Sequence, residues 1–250
     1  RMDLSLRNRL EKSALDQGFS ISLGQSDGWI VFQAHAVPTR LALSATAEGT
    51  LLVGTSHRGV GKELADTLNP APFSHEGFDC FIAPGSGELF RIIGRIWALA
   101  CALPNEPLAE FERLVRDQPS TTEVERLRKE RIGQNVFRRA LLTYWEDTCA
   151  VTGVTHPTLL RASHIIPWAA CETDHERLNV HNGLLLVANL DAAFDAGLIS
   201  FDDGGGIMIS GNLSNDDQEL AGIDSHLRLT RLHEEVRKRL SWHRDNLFQG

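Results

Sequence analysis

The chain has 250 residues, of which 42% are hydrophobic and 23% charged, a composition typical of globular proteins that excludes a disordered chain. Its net charge is −8, but the acidic residues concentrate in 146–224, between basic segments at 121–145 and 225–250, so a nucleic-acid partner is not excluded. No apolar run reaches the roughly 18 to 20 residues of a membrane span, and the N-terminal residues lack a signal-peptide pattern. We therefore expect a cytoplasmic protein without membrane contact.

The first half of the chain predicts an α+β domain. Apolar residues at helical spacing predict helices, which lie at 4–15, 61–68, 88–102 and 108–115. Turn-forming residues separate short β-like runs, which lie at 19–23, 29–34, 41–45 and 51–53. The polar stretch 117–120 predicts a linker, so we divide the chain into an N-terminal α+β domain, 1–117, and a C-terminal domain, 118–250.

A long basic helix is predicted to follow the linker, over 120–145. Ser120 or Thr121 can cap its first turn. Apolar residues form one stripe along this helix, while basic residues, among them Arg138 and Arg139, cover its other faces. A pattern of this kind indicates either a solvated helix face or a surface that binds a DNA backbone.

The next segment alternates strands with a short helix. Pro167 ends the first of these strands, because proline cannot continue a ladder of hydrogen bonds. Asn189 is a suitable N-cap for the short helix, and Gly197 suits its C-terminal end. The predicted order is strand, loop, strand, short helix and hairpin, with the elements at 159–165, 183–187, 190–196, 198–201 and 207–209.

Three sequence blocks in this region form an ordered set. They are Ala162-Ser163-His164-Ile165, Asn182-Gly183-Leu184-Leu185-Leu186 and Leu190-Asp191-x-x-Phe194-Asp195-x-Gly197-Leu198-Ile199-Ser200-Phe201. With 131–138, 149–153 and the tail at 242–248, this set resembles the HNH, or ββα-metal, endonuclease domain, in the branch found in bacterial restriction-type nucleases. The resemblance spans about 121–248 and implies a ββα-metal nuclease fold with flanking helices in the C-terminal domain.

The resemblance implies a metal-dependent DNA endonuclease that leaves 5′-phosphate and 3′-hydroxyl ends. Hydrolysis of a phosphodiester needs an activated water, and a histidine at a strand end can deprotonate water near neutral pH, which is the role implied for His164. Asn182 matches the family's asparagine, which braces the loop that carries this base. Taken alone, a histidine is more often structural, and Asn182 would be a turn residue before Gly183.

Asp191 and Asp195 are the candidate metal ligands. They are four residues apart, so both carboxylates lie on one side of a helix, where they suit a hard cation such as Mg²⁺, with Mn²⁺ or Co²⁺ as alternatives. An acid in the first helical turn also stabilises the helix, which explains Asp191 without a metal but leaves Asp195 unexplained. The chain departs from the family pattern at Ser163, where relatives often have Asp or His, and at Asp191, where they often have His.

The candidate DNA contacts are basic residues in both domains. Arg138, Arg139 and Arg244 are predicted phosphate contacts, because of their charge and because two of them lie in family-like blocks. His57 and Arg58 lie near a predicted helix start, where they either contact DNA or form an ordinary loop and helix cap. We expect the N-terminal domain to recognise a DNA sequence or a modified base.

Three functions remain open from the sequence. The first is a restriction-type endonuclease, either site-specific or modification-dependent, that acts on double-stranded DNA and forms a homodimer to cut both strands. The second is a DNA-binding module with an inactive nuclease, which Ser163 and Asp191 suggest. The third is a nuclease effector or toxin whose N-terminal domain binds a protein or a signal.

Overall fold

The structure, a computed structural model, describes residues 3–116 and 122–250. It divides into two compact units, Arg1–Cys101 and Ala102–Gly250, and its mixture of helices and antiparallel sheets confirms the α+β class. The linker and the domain boundary predicted at 117 and 118 lie outside the described residues. Among the helices of the described ranges, none has the length and apolar character that crossing a membrane requires.

The first unit is built on a five-stranded antiparallel sheet in which neighbouring strands follow one another along the chain. Its strands are β1 (Ile21–Ser26), β2 (Trp29–Gln33), β3 (Arg40–Ala45), β4 (Leu51–Thr55) and β5 (Asp79–Ala83). Its helices are α1 (Leu4–Asp16), α2 (Arg58–Ala65) and α3 (Ser86–Ala102). Asp27 and Gly28, both with positive φ, form the tight turn between β1 and β2, in agreement with the turn predicted there.

Apolar side chains of this sheet form a core of the first unit, because β2 and β4 are buried along almost their whole length. One cluster of buried residues consists of Trp29, Val31, Ala42, Leu52, Phe78 and Cys80. Burial of one large apolar side chain is worth about 1.5–3 kcal/mol, so a cluster of this size contributes substantially to the stability of the unit.

The second unit holds two antiparallel strand pairs and the helices around them. One pair is β6 (Leu160–His164) with β7 (Gly183–Val187), and the other is β8 (Ile199–Phe201) with β9 (Ile207–Ile209). The helices are α4 (Asn105–Val115), α5 (Glu123–Tyr144), α6 (Asp174–Leu178), α7 (Ala188–Asp195), α8 (Asn215–Ala221) and α9 (Glu234–Asn246). Strands β6 and β7 with helix α7 reproduce the predicted order of strand, strand and short helix.

Helix α5 starts later than the sequence predicts. Its N-cap is Thr122, whose side chain accepts from the Glu125 N–H while the Glu125 side chain accepts from the Thr122 N–H, a complete capping box. The predicted caps, Ser120 and Thr121, lie outside the described residues. The reciprocal pair at Thr122 satisfies two main-chain donors, which fixes the start of the helix at Glu123.

Two glycines allow aromatic rings to pack closely around the β6–β7 hairpin. A Cβ atom on Gly183, the first residue of β7, would lie 2.5 Å from the ring of Phe137 in α5. A Cβ atom on Gly133, one turn earlier in α5, would lie 2.4 Å from the ring of Trp168, which follows β6. Since the two glycines leave this space to the aromatic rings, α5 lies directly against the end of the hairpin that carries His164.

Helix α7 begins before the predicted cap. Its N-cap is Val187, without a side-chain bond, and Asn189 lies inside the helix, where its amide donates to the main-chain oxygen of Ala221. The prediction that Asn189 caps this helix was therefore wrong. Gly197 follows the helix with a φ of 69°, as predicted for its C-terminal end, and a Cβ there would lie 2.1 Å from the Leu247 oxygen.

Candidate active site

His164, at the end of β6, has one ring nitrogen bonded and the other available. Nε2 lies 2.9 Å from the main-chain oxygen of Arg177. A carbonyl oxygen only accepts, so the neutral ring carries its proton on Nε2 and its lone pair on Nδ1. Within 3–116 and 122–250, no protein group forms a hydrogen bond with this Nδ1.

The surroundings of the His164 ring favour its neutral form. The ring stacks on Phe137, with 3.9 Å between centroids, and meets the edge of Trp168 at 5.7 Å. Burial against these rings lowers the pKa of His164 below its ordinary value, and the hydrogen bond to Arg177 opposes this effect only in part. The imidazole is therefore unprotonated at neutral pH, as a general base must be.

Asn182 holds the main chain at Ile166, two residues after His164. Its Oδ1 accepts from the Ile166 N–H at 2.9 Å, and its Nδ2 donates to the Ile166 oxygen at 3.0 Å. The side chain is fully enclosed, with 1% of its surface exposed, so these bonds are shielded from water. This arrangement corresponds to the bracing role that the resemblance implies for Asn182.

Asp191 and Asp195 lie one turn apart on α7, and both approach Ser163. The Ser163 hydroxyl donates to Oδ1 of Asp195 at 3.2 Å, and the same hydroxyl acts to lower the pKa of Asp191. Partial burial raises the pKa of each carboxyl, and for Asp195 the negative charge of Asp191 raises it further. The Ser163 hydroxyl opposes both shifts, and the charge of Arg161 also opposes the shift at Asp191.

This carboxylate pair has the chemistry of a site for a divalent cation. Two like charges on one helix face raise each other's cost of ionisation, and a cation between them would remove that cost. In the part of the chain that the structure describes, neither Asp191 nor Asp195 forms an ion pair with a lysine or arginine. The residues therefore fit a hard cation, which Asp191 and Asp195 would hold with Ser163 beside them.

His164 and one of these carboxylates line the same cavity. It has a volume of about 350 Å³, and its lining consists of Ala162, His164, Pro167, Trp168, Asp195, His243 and Leu247. The structure thus brings together the predicted base and Asp195, and the Ser163 hydroxyl bonds to Asp195 and acts on the pKa of Asp191. Asn182 lies behind the base loop, where it contacts Ile166.

His243, in α9, is a site residue to which sequence reasoning gave no role. It is completely buried, its Nε2 donates to the Phe194 oxygen at 3.1 Å, and its Nδ1 accepts from the Ser200 hydroxyl at 3.0 Å. Its ring also stacks on Phe194, which precedes Asp195. His243 therefore fixes the last turn of α7. It belongs to the 242–248 block, but no local signal specifies its partners.

The three predicted DNA-binding arginines of this unit are bonded to the protein. Arg138 donates to the main-chain oxygen of Leu160, the first residue of β6, at 2.9 Å and to that of Pro157, just before the strand, at 3.0 Å. Arg139 pairs with Glu110 at 2.5 Å. Arg244 pairs with Asp203 at 2.6 Å and donates to a main-chain oxygen of β8 at 2.7 Å. These contacts give each arginine a structural role, and a contact with DNA remains a prediction.

In the first unit, His57 and Arg58 lie at the start of α2. Nδ1 of His57 accepts from the Val60 N–H at 3.2 Å, so His57 is the N-cap of this helix. Arg58 is exposed in the first turn. The geometry supports the helix-cap interpretation of His57, and DNA contact by either residue stays a prediction.

The comparisons with known proteins address the second unit. Residues 149–202 match the family model described as HNH endonuclease, and this range contains His164, Asn182, Asp191 and Asp195. The resemblance inferred from the ordered sequence blocks is thereby confirmed, and the unit carries a nuclease domain of the HNH type. HNH nucleases generally use a divalent metal ion. No curated protein matches the chain.

Proposed function

We propose that the chain is a metal-dependent DNA endonuclease in which His164 is the general base and Asp191 and Asp195 hold the metal ion. The observation that carries this proposal is the cavity of about 350 Å³ that His164 and Asp195 both line. A water molecule occupies about 30 Å³ of liquid, so a cavity of this volume has room for a water and a phosphate oxygen between the two groups.

Hydrolysis adds water across the P–O3′ bond of DNA. The unprotonated Nδ1 of His164 accepts a proton from the attacking water as the water oxygen bonds to phosphorus. The P–O3′ bond then breaks, its electron pair stays on O3′, and O3′ takes a proton from solvent to leave a 3′-hydroxyl and a 5′-phosphate. A bound divalent cation supplies electrostatic stabilisation of the phosphate in this reaction.

The ligands favour Mg²⁺, with Mn²⁺ or Co²⁺ as alternatives, because carboxylate oxygens are the preferred ligands of hard divalent cations. Ser163 brings a neutral hydroxyl where relatives often have an acidic or imidazole side chain. The metal therefore depends on the two carboxylates of Asp191 and Asp195. We expect weak binding of the ion that chelators readily reverse.

Arg161 is a further candidate for a contact with the DNA backbone. Its Nη1 donates to the main-chain oxygens of Thr158 and Leu160, at 2.9 and 3.0 Å, whereas its Nε and Nη2 form no hydrogen bond within the residues that the structure describes. It is exposed and lies two residues before Ser163 on β6, so the alternation of a strand puts both side chains on one face. Its charge also reaches Asp191. A phosphate at the metal site would thus meet a cation from the adjacent strand position.

We further propose that the first unit selects the DNA, in the manner of a restriction-type enzyme that acts on a modified site. Its compactness as a separate unit supports this role, and so does the exposed Arg58 at the start of α2. A chain with one catalytic centre would cut both strands of double-stranded DNA as a homodimer, which is the assembly we propose.

A plasmid assay tests the nuclease activity. We expect supercoiled plasmid to be cut with Mg²⁺, Mn²⁺ or Co²⁺ and to stay intact with EDTA. The rate of cleavage by His164→Ala and by Asp195→Asn should be lower than that of the wild type by a factor of about 100 or more, the usual contribution of a general base or a bound ion. Asp216→Asn, which changes an exposed acid of α8, is the matched control and should cut like the wild type.

Two results would contradict the proposal. If the wild type cuts no plasmid with any ion yet binds DNA, the chain is a DNA-binding module with an inactive nuclease. If His164→Ala cuts as fast as the wild type, the base assignment is wrong. A panel of methylated, phosphorothioated and plain DNA tests the substrate: equal cutting of all three excludes dependence on a modification and favours an effector or toxin.

A further inference from the structure

Arg177 lies in α6, within the loop that joins β6 to β7, and its guanidinium ties this loop together. Nε donates to the main-chain oxygen of Trp168 at 3.2 Å, and Nη1 donates to the Asp174 carboxylate at 3.0 Å. Nη2 donates to the main-chain oxygen of Cys171. The guanidinium also lies over the Trp168 ring, 5.7 Å from its centroid. All three nitrogens of the group are therefore engaged within a single loop.

The main-chain oxygen of the same residue accepts the hydrogen bond from Nε2 of His164, at 2.9 Å. Arg177 lies in the last turn of α6, where carbonyl oxygens have no partner within the helix and are free to accept from a side chain. The guanidinium contacts fix the position of this oxygen. The oxygen in turn determines which nitrogen of the imidazole carries the proton.

The brace at Arg177 is separate from the brace at Asn182. Asn182 holds the main chain of Ile166, two residues after the base, and makes no hydrogen bond with the imidazole of His164 among the described contacts. The carbonyl of Arg177 contacts the ring itself. Asn182 thus fixes the path of the main chain, whereas the carbonyl of Arg177 fixes which nitrogen of the His164 ring carries the proton.

We propose that Arg177 is a positioning residue that holds His164 in the tautomer with its proton on Nε2 and its lone pair on Nδ1. The consequence for DNA cleavage rests on the proposed endonuclease function, but the tautomer itself does not. Lysine cannot replace Arg177, because a guanidinium presents its donors in a rigid planar fork, whereas an ammonium is a single point charge. Each of the three guanidinium nitrogens of Arg177 donates to a different acceptor, and one ammonium nitrogen cannot occupy all three positions.

The experiment measures the tautomer and the reaction separately. The full chain is labelled with ¹⁵N-histidine, and ring nitrogens are observed by two-bond ¹H–¹⁵N correlation near neutral pH, with His164 identified by the signal missing in His164→Ala. We expect the Nε2–H tautomer in the wild type and a mixture of both tautomers in Arg177→Ala and Arg177→Lys. Plasmid cleavage by both variants should show a kcat about 10- to 100-fold lower, the usual effect of a misplaced catalytic group, with DNA affinity little changed.

Arg228→Ala is the matched control. Arg228 is an exposed arginine of the same unit that also donates to a main-chain oxygen, that of Gly204, at 2.9 Å. Its removal should change neither the tautomer of His164 nor the rate of cleavage. This control separates the effect of Arg177 from the general effect of losing an arginine that binds the main chain.

A His164 ring that keeps the Nε2–H tautomer in both Arg177 variants would overturn the inference, whatever the cleavage rate. A changed tautomer together with a wild-type chain that cuts no DNA would support the inference and overturn the proposed function instead. If Arg177→Ala fails to fold, as judged by circular dichroism, Arg177→Lys decides the question, because it keeps the charge and a helix-forming side chain.

Discussion

Asn182→Asp tests the brace behind the base, because it replaces a hydrogen-bond donor with an acceptor at nearly constant shape. In the wild type, Nδ2 donates to the Ile166 oxygen at 3.0 Å and Oδ1 accepts from the Ile166 N–H at 2.9 Å. A protonated aspartic acid can repeat both bonds. A charged carboxylate cannot, because one of its oxygens would face the Ile166 oxygen in a site where only 1% of the side chain is exposed.

Burial and the opposed oxygens both raise the folded-state pKa of the new carboxyl above its unfolded value of about 3.9. An unsatisfied buried carbonyl costs about 1–3 kcal/mol, which corresponds to a rise of about two pKa units at about 1.36 kcal/mol each. Relative to the wild type, the variant should therefore lose little stability below about pH 4. The loss grows as pH rises from there and is complete, at about 3 kcal/mol, above about pH 6.

Urea unfolding at about pH 4 and about pH 7.5 measures this effect as the difference in unfolding free energy between variant and wild type. Asn135→Asp makes the same chemical change on an exposed face of α5 and should show no such dependence on pH. An equal loss of stability by Asn182→Asp at both pH values would refute the reasoning, because a donor-to-acceptor exchange at the Ile166 oxygen requires the loss to depend on ionisation.

Three further predictions concern other parts of the second unit. Burial lowers the folded-state pKa of His243, so the wild type should lose up to about 1.4 kcal/mol of unfolding free energy per pH unit as pH falls below about 6.5, and His243→Phe should show a shallower loss in urea unfolding. Gly197→Ala should cost more than about 2 kcal/mol, because φ is 69° and a main-chain oxygen lies 2.1 Å from the added Cβ, whereas Gly211→Ala, which has open space, should change stability by less than about 0.5 kcal/mol. Arg161→Ala should reduce the salt dependence of DNA binding by about one phosphate contact, whereas Arg138→Ala should leave it unchanged and lower thermal stability.

The order of elements around the site could be predicted from the sequence because several local signals agree there. Pro167 follows the end of β6, and Gly197 with its positive φ ends α7. The apolar run 183–187 coincides with β7, and the spacing of Asp191 and Asp195 places them one turn apart on α7. Local chemistry of this kind depends on neighbours in the chain, which a single sequence displays directly.

Elements whose stability depends on distant contacts were missed or misplaced. Strand β5 follows the turn at Gly77 and pairs with β4, although 23 residues separate Thr55 from its start, and its short apolar run gave no clear pattern. Helix α6 is only five residues long, and its segment was interpreted as an irregular loop. The pairing of His243 with Phe194 spans 49 residues. Sequence spacing does not indicate contacts over such separations.

The charge pattern of the sequence indicates which residues lie at the surface. It does not indicate which of their side chains are already bonded to protein acceptors and which can contact DNA. Arg138 and Arg161 both donate to main-chain oxygens at or just before the start of β6. Arg138 uses both Nη1 and Nη2 for these bonds, whereas Arg161 uses only Nη1 and is exposed on the strand face of Ser163. Which arginine can reach a phosphate depends on the acceptors around each guanidinium. Those acceptors are main-chain carbonyls, whose positions are determined by the folded structure and not by residue type.

The distribution of hydrogen bonds separates the groups that hold the site from the groups that act in it. Asn182, Arg177 and His243 have their polar atoms bonded to the protein, mostly to main-chain groups beside the base or beside Asp195. In contrast, Nδ1 of His164 has no protein partner among the described residues, and Asp195 has only the Ser163 hydroxyl. Buried and half-buried polar groups in proteins are normally satisfied, so unused bonding capacity on two residues that line one cavity favours a ligand between them. A polar cluster with a structural role alone forms its hydrogen bonds among its own members, so it would not need three separate residues to hold it in place. Asn182, Arg177 and His243 instead surround groups with unused hydrogen-bonding capacity. This is the physical reason for the proposal that water activation and cation binding both occur at this hairpin.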